Sequence, residues 1–286
     1  MTTDTITTEI EIDAKTLTIA MQKGGVGKSA TAIGLSGALA DDTDRTVTDG
    51  NDVLLVDGDP QGFVTIMFGY ADYYTGDEAL TLYDVLMDVD EGANVDELVI
   101  DDHPEVDVLP SHGRNFLLEK ELWNESRTQK RLGLALSNLS KSYDYIIIDS
   151  PPNLGPLADG AILAAENVMY ASKPDEIASF SMNLLLNEIR SLEKEFGVDV
   201  GDVGAAVNMV GDDNVSAQRV EWFKETLGEN NVTVFPDSVA VEGAIGQSGS
   251  AFNPEYVPDN RHREQKASEL RDLYDQLAQR VEGHYA

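Results

Sequence analysis

Thr16-Leu17-Thr18-Ile19-Ala20-Met21 runs almost directly into Lys23-Gly24-Gly25-Val26-Gly27-Lys28-Ser29, and this junction decides the fold. The first six residues read as a strand and Ala30 to Ala40 as a helix, so three glycines stand where a strand hands over to a helix. Gly24, Gly25 and Gly27 let the backbone turn in on itself and aim successive N–H groups, through Val26 to Ala30, at an anion by the positive end of that helix. Lys28 is then placed for the β- and γ-phosphates of a nucleotide and the Ser29 hydroxyl for Mg²⁺. Lys23 has no task inside its own loop, because one ammonium already serves the terminal phosphates and a second beside it is repelled. A second nucleotide, across a dimer interface, would supply the charge that Lys23 lacks.

Two further apolar runs end in acids. Val53 to Val56 is a short run of the buried parallel-strand kind, and Asp57 and Asp59 follow at its carboxyl end, where open α/β sheets bind ligands. Tyr145 to Ile148 is a second such run; its terminal Asp149 emerges at the same sheet edge and suits a water on Mg²⁺. Pro151-Pro152 forces an extended exit, readable either as a switch that senses the γ-phosphate or as a plain strand-to-loop turn. The strand Val203 to Val207 delivers Asn208 to this edge, where an amide would pair with or lie against adenine. Strands near 16–21, 53–57, 106–109, 145–149, 168–171, 203–208 and 232–235 alternate with helices. They predict an α/β chain with a single-domain, doubly wound, mainly parallel sheet flanked by helices over 16–286, a P-loop NTPase, preceded by a leader or edge strand at 1–15.

These segments, together with Val53-Leu54-Leu55-Val56-Asp57-Gly58-Asp59-Pro60-Gln61-Gly62, Tyr143-Asp144 before the third run, and Lys173-Pro174-Asp175-Glu176, carry a resemblance. Over roughly 16–281 the chain resembles the deviant Walker A ATPases of the ParA/MinD type, above all the Soj-like ParA partition ATPases. The resemblance implies ATP and Mg²⁺ as ligands, with Ser29, Asp59 and Asp149 around the metal. It assigns Asp59, supported by Asp57, to the attacking water, and Lys23 with Lys28 to the charge that develops on hydrolysis. Pro236 and Asp237 match the loop that borders the base, although many relatives carry a basic residue where Asp237 stands. Ala30 likewise replaces a hydroxyl residue that relatives often place at the α-phosphate. The function implied is a weak ATPase that dimerises on ATP, is stimulated by a ParB-like partner, and drives segregation or positioning of a plasmid, chromosome or other cargo. Non-specific DNA binding would fall to Arg261, Arg263, Lys266, Arg219 and Lys224. The alternatives are an ATP-dependent metabolic synthetase on the same fold and a MinD-like membrane-associated positioning ATPase.

Composition bounds these readings. The formal charge is −32, from 52 acids against 20 Lys and Arg, and the acids are spread along the chain. Such self-repulsion is screened in strong salt, where the Debye length falls to about 3 Å at 1 M. A halophilic, archaeal cytoplasm is the economical explanation; avoidance of DNA or a basic partner is the other. Cysteine is absent, which excludes relatives that clamp an iron–sulfur centre, and His103, His112, His262 and His284 show no metal spacing. No apolar run is long enough to span a bilayer or act as a signal peptide, so the expected place is the cytoplasm, nucleoid-associated if DNA is bound. In the last helix, about Glu264 to Val281, Leu270, Leu273, Leu277 and Val281 form a stripe expected to pack on the sheet and not in lipid.

Overall fold

Strands whose both faces are buried often read as unbroken apolar runs, and 53–56 and 145–148 do, whereas Thr16 and Thr18 interrupt the run at 15–20. The computed structural model describes residues 10–42, 50–77, 80–89, 94–123, 128–237, 249–258 and 260–286. Its strands are β1 (Lys15–Ala20), β2 (Val53–Asp57), β3 (Asp107–Leu109), β4 (Tyr145–Asp149), β5 (Asn167–Ser172), β6 (Gly201–Val210) and β7 (Val232–Pro236). They form one sheet in the order β3-β2-β4-β1-β5-β6-β7. Every strand pair in it is parallel, where the sequence predicts a mainly parallel sheet. Of the expected leader or edge strand at 1–15, residues 10–14 form no strand, although Ile12 and Ala14 rest on the core, and residues 1–9 lie outside the described set.

Period-two alternation divides the core. Val53 and Leu55 of β2, with Leu17, Ile19, Tyr145 and Ile147, face α1 (Lys28–Ala40) and the long final helix Arg261–Tyr285. Leu54, Val56, Ile146 and Ile148 face the other way, toward the helices that follow β3 and β4. The predicted stripe behaves as expected: Leu270, Leu277 and Val281 are buried and Leu273 packs beside them. Among the described residues no helix is long and apolar enough to cross a membrane.

The final helix docks on α1 at a glycine. A Cβ at Gly34 would overlap the Tyr274 ring, whose hydroxyl donates to the Ala30 carbonyl at 2.9 Å. Gly34→Ala is therefore expected to destabilise the chain by about 2–3 kcal/mol through overpacking, read by chemical denaturation in molar KCl. An unchanged midpoint would show that the two helices slide apart freely.

A second tie is polar. Glu105 keeps part of its surface in water, but its carboxyl is enclosed against α1 at Gly37 and accepts the Ser250 N–H at 2.9 Å and the Ser250 hydroxyl. Burial pushes this carboxyl up to about 7, against the opposing Ser250 hydrogen bonds. The folded chain thus holds the proton more tightly than the unfolded one. The stability it contributes is complete below the ordinary glutamate range and is lost as pH rises through about 7. The melting temperature in molar KCl, where long-range repulsion is screened, should fall between about pH 4.5 and 7 and level off above, and Glu105→Gln should flatten that slope. A slope unaltered by the substitution would assign it to other groups.

Candidate functional site

The phosphate loop is built by its glycines. Gly25 (φ 67°) and Gly27 (φ 90°) lie in the left-handed region, and Gly27 caps α1 at its N-terminus. The helix starts at Lys28, two residues earlier than the sequence suggests, because the left-handed Gly27 already turns the chain into it. Lys28 and Ser29 therefore stand in the first helical turn, beside N–H groups that have no intrahelical partner.

Lys28 is buried, and its Nζ donates to the Lys23 carbonyl at 3.4 Å. Burial lowers its pKa, while the charges of Asp149 and Asp59 hold the proton on. Parallel pairing of β2 with β4 sets Asp57 opposite Asp149 at the ends of their strands, and the Gly58 N–H donates to the Asp149 carbonyl at 2.9 Å. Both side chains are fully buried. Burial, then the Asp57 charge, pushes the Asp149 carboxyl up to about 8. Neither Asp149 oxygen has a hydrogen-bond partner; the nearby Ser29 hydroxyl opposes the shift without forming a hydrogen bond of proper geometry. Burial likewise pushes Asp57 up to about 7, although Thr65 donates both its N–H (2.8 Å) and its hydroxyl (2.6 Å) to Asp57 Oδ2. Asp59 is raised by burial and lowered by the Gln61 N–H, 2.9 Å from Oδ1, and by Lys28.

This donor set fits Mg²⁺. Unpaired buried carboxyl oxygens, a neighbouring carboxylate and a hydroxyl are hard ligands, and the described residues hold no cluster of three or more His, Asp or Glu able to bind a metal unaided. Magnesium usually takes one or two carboxylates and completes its shell with water and substrate phosphates.

Three sets of residues singled out from the sequence have contacts of their own, beginning with Lys23. Its Nζ is ion-paired with Asp175, at the start of the segment entering the helix Ala178–Phe196, so it has a partner within its own chain. Burial opposes the effect, but Lys23 and then Lys173, 3.7 Å away, hold the Asp175 carboxyl below its ordinary range. Sequence separation hides this contact, since 152 positions separate the partners.

Asn208 is the second. A bulge follows Val207, Met209 takes a left-handed φ of 56°, and the Asn208 side chain is turned onto the phosphate loop. Its Nδ2 donates to the Val26 carbonyl at 3.0 Å and to Thr31 Oγ1 at 3.2 Å. A Cβ at Gly27 would stand 2.6 Å from that same nitrogen. The amide nitrogen thus braces the loop. Pro236 and Asp237 are exposed at the end of β7, with the Asp237 N–H on the Val210 carbonyl at 2.9 Å, and residues 238–248 after them lie outside the described set.

The third set is basic. Arg261, Arg263 and Lys266 occupy the first turns of the final helix, while Arg219 and Lys224 lie on the helix Asn214–Leu227. Lys266 pairs with Glu269 on its own helix at 2.7 Å, so part of its charge is already matched.

Sequence reasoning missed Thr65, Tyr74, Ser111 and Asn115, which enclose the Asp59 turn. The signal available was position: Ser111 follows the carboxyl end of β3, the edge on which Asp59 and Asp149 stand.

An AAA domain family model matches residues 14–200. The sporulation initiation inhibitor protein Soj of Bacillus subtilis is 32% identical over 232 residues, covering 80% of this chain and 87% of Soj. The chromosome partitioning protein ParA of Caulobacter vibrioides is 37% identical over 185 residues, 64% of this chain and 64% of that protein. Among solved structures, a Cyanothece McdA variant in complex with ATP aligns with a TM-score of 0.78 at 21% identity, over 95% of this chain and 97% of that one. At that identity the last likeness is one of fold.

Proposed function

This chain belongs to the AAA domain family, in the branch that holds Soj and ParA, and from that premise we propose that it is an ATP-hydrolysing switch for partitioning or positioning a cargo. The observation that carries the reading is the buried Asp149 carboxyl without a hydrogen-bond partner, set between Ser29 and Lys28 at the mouth of the phosphate loop. An unpaired buried carboxyl is costly and marks a place where a ligand completes the structure.

Lys28 and the first-turn N–H groups of α1 bind the β- and γ-phosphates. Ser29 and Asp149 hold Mg²⁺, which when bound neutralises phosphate charge and orients its waters. Asp59 positions the attacking water, with Asp57 fixed behind it by Thr65. Lys23 leaves Asp175 and turns to the triphosphate of a second copy, so nucleotide binding and dimerisation become one event. Hydrolysis removes the charge that draws Lys23 across, and the dimer parts. A ParB-like partner would accelerate that step. DNA contact through Arg261, Arg263, Arg219 and Lys224 is an electrostatic extension that molar salt would weaken, since counterion release drives such binding.

The direct test is Mg-dependent ATP turnover at molar KCl, with and without DNA. ADP formation that is lost in Asp59→Ala, with ATP binding retained, supports the reading. ATP binding without hydrolysis in the parent chain, under both conditions, overturns it.

A further inference from the structure

Asp59 belongs to the turn Asp57-Gly58-Asp59-Pro60-Gln61-Gly62, which leaves β2 and leads into the short helix Phe63–Met67. Such a connection has no strand ladder to hold its carbonyls, so their partners must come from elsewhere. Within the turn the Gly62 N–H donates to the Asp59 carbonyl at 2.9 Å. Two hydroxyls from separate segments supply the rest. Ser111 Oγ donates to the same Asp59 carbonyl at 2.8 Å, and Tyr74 Oη donates to the Pro60 carbonyl at 2.9 Å. Consecutive carbonyls beside the carboxylate are thus held by the segment leaving β3 and by the helix Ala71–Thr75.

Each hydroxyl is itself fixed. The Ser111 N–H donates to Thr65 Oγ1 at 2.8 Å, and Ser111 Oγ accepts from Asn115 Nδ2 at 3.0 Å. Thr65 is in turn bound to Asp57 Oδ2, which closes a chain of hydrogen bonds from one acid of the turn round to the backbone of the other. Thr65 and Ser111 are fully buried. The Tyr74 ring covers Gly62, where a Cβ would collide with it, and the Tyr74 carbonyl accepts the Gly113 N–H at 3.1 Å. Polar burial of this kind is costly, the more so as Asn115 Oδ1 and Asp57 Oδ1 are left without partners, and an apolar core would hold the segments together at less risk. What the network adds over packing is a fixed place for one backbone turn.

We propose that Ser111 and Tyr74 are positioning residues for hydrolysis: their hydroxyls clamp the Asp59-Pro60 backbone so that the Asp59 carboxylate meets the attacking water in one geometry. The proposal rests on the reading of Asp59 given above. Neither residue touches nucleotide or water in this scheme; each acts through the turn. Misplacing a catalytic group by about 1 Å costs on the order of 10²-fold in rate, so loss of one of two anchors should cost about ten-fold.

Tyr74→Phe removes a single oxygen, and Ser111→Ala removes the other donor. Turnover with Mg-ATP at molar KCl is measured beside the affinity for a fluorescent ATP analogue. In each variant kcat should fall about ten-fold, and in the double variant about 10²-fold, with KM and analogue affinity within about two-fold of the parent. Ser111→Thr, which keeps the hydroxyl, should recover most of the lost rate. Unchanged kcat in both single variants overturns the proposal, as does a loss of kcat matched by an equal loss of analogue affinity. If the parent binds the analogue yet hydrolyses nothing, the reading of Asp59 fails instead, and hydrogen exchange at the hydrogen-bonded Gln61 and Gly62 amides then decides the clamp. Faster exchange in Tyr74→Phe supports it, and unchanged exchange sinks it.

Discussion

Lys23→Ala is expected to bind ATP with nearly the affinity of the parent and to stay monomeric in its presence, while the parent elutes as a dimer. Turnover should fall by about 10²- to 10³-fold, the scale of losing one charge-stabilising group in a transition state. The argument starts from division of labour. Lys28 is buried in the loop beside Asp59 and Asp149 and is the group proposed to hold the terminal phosphates. Lys23 is partly exposed, 20% of its side chain meeting solvent, and rests on Asp175. Its ion pair is exchangeable because both side chains still reach solvent, which weakens the pair, and a triphosphate offers more charge than one carboxylate. Asp175→Asn consequently has the opposite sign. It frees Lys23 and should lower the ATP concentration needed for dimers. Sizing chromatography over an ATP series reads both variants. Dimers that persist in Lys23→Ala would sink the cross-subunit role.

Asp149→Asn should separate stability from function. The parent carries a fully buried carboxyl with both oxygens unpaired, opposite Asp57. Burial raises it to about 8, so its charge is most costly in alkaline buffer, where it is fully carried, and there a neutral amide of the same shape removes both the charge and its repulsion with Asp57. The gain for the nucleotide-free chain is about 1–2 kcal/mol. In a domain this large that is roughly 2–8 °C in melting temperature. The same change removes a proposed Mg²⁺ ligand, so turnover should drop by about 10²-fold or more, and the stabilisation that Mg-ATP gives over ATP alone should vanish. A variant that melts lower than the parent in alkaline buffer, or hydrolyses ATP within a few-fold of it, contradicts the assignment.

Much of this was legible in the residues themselves. Val53–Asp57 and Tyr145–Asp149 were bounded correctly, because a buried parallel strand leaves an unbroken apolar run with an acid at its end. The edges of β6 were not. It extends from Gly201 to Val210, two residues beyond expectation at each end, and its bulge at Met209 has no composition of its own. The phosphate loop was readable since glycine spacing reflects backbone need. The bracing of that loop by Asn208, the Lys23–Asp175 pair and the hydroxyls of Ser111 and Tyr74 were not. Those contacts span 14 to 182 positions, obey no local period and depend on which strands become neighbours. Even the shortest of them, from Tyr74 to Pro60, joins a turn to a separate helix whose placement only the folded chain defines.

The place of β1 at the middle of the sheet has a consequence for synthesis. It is made early, yet its two neighbours are β4 and β5, and the Tyr274 hydroxyl that steadies Ala30 comes 244 positions after it. At a translation rate of about 5–20 residues per second, an emerging phosphate loop waits roughly ten seconds or more for the groups that fix it. A nascent chain is therefore blind to ATP until those groups have left the ribosome, and its first strand is a segment that a chaperone would have to shield.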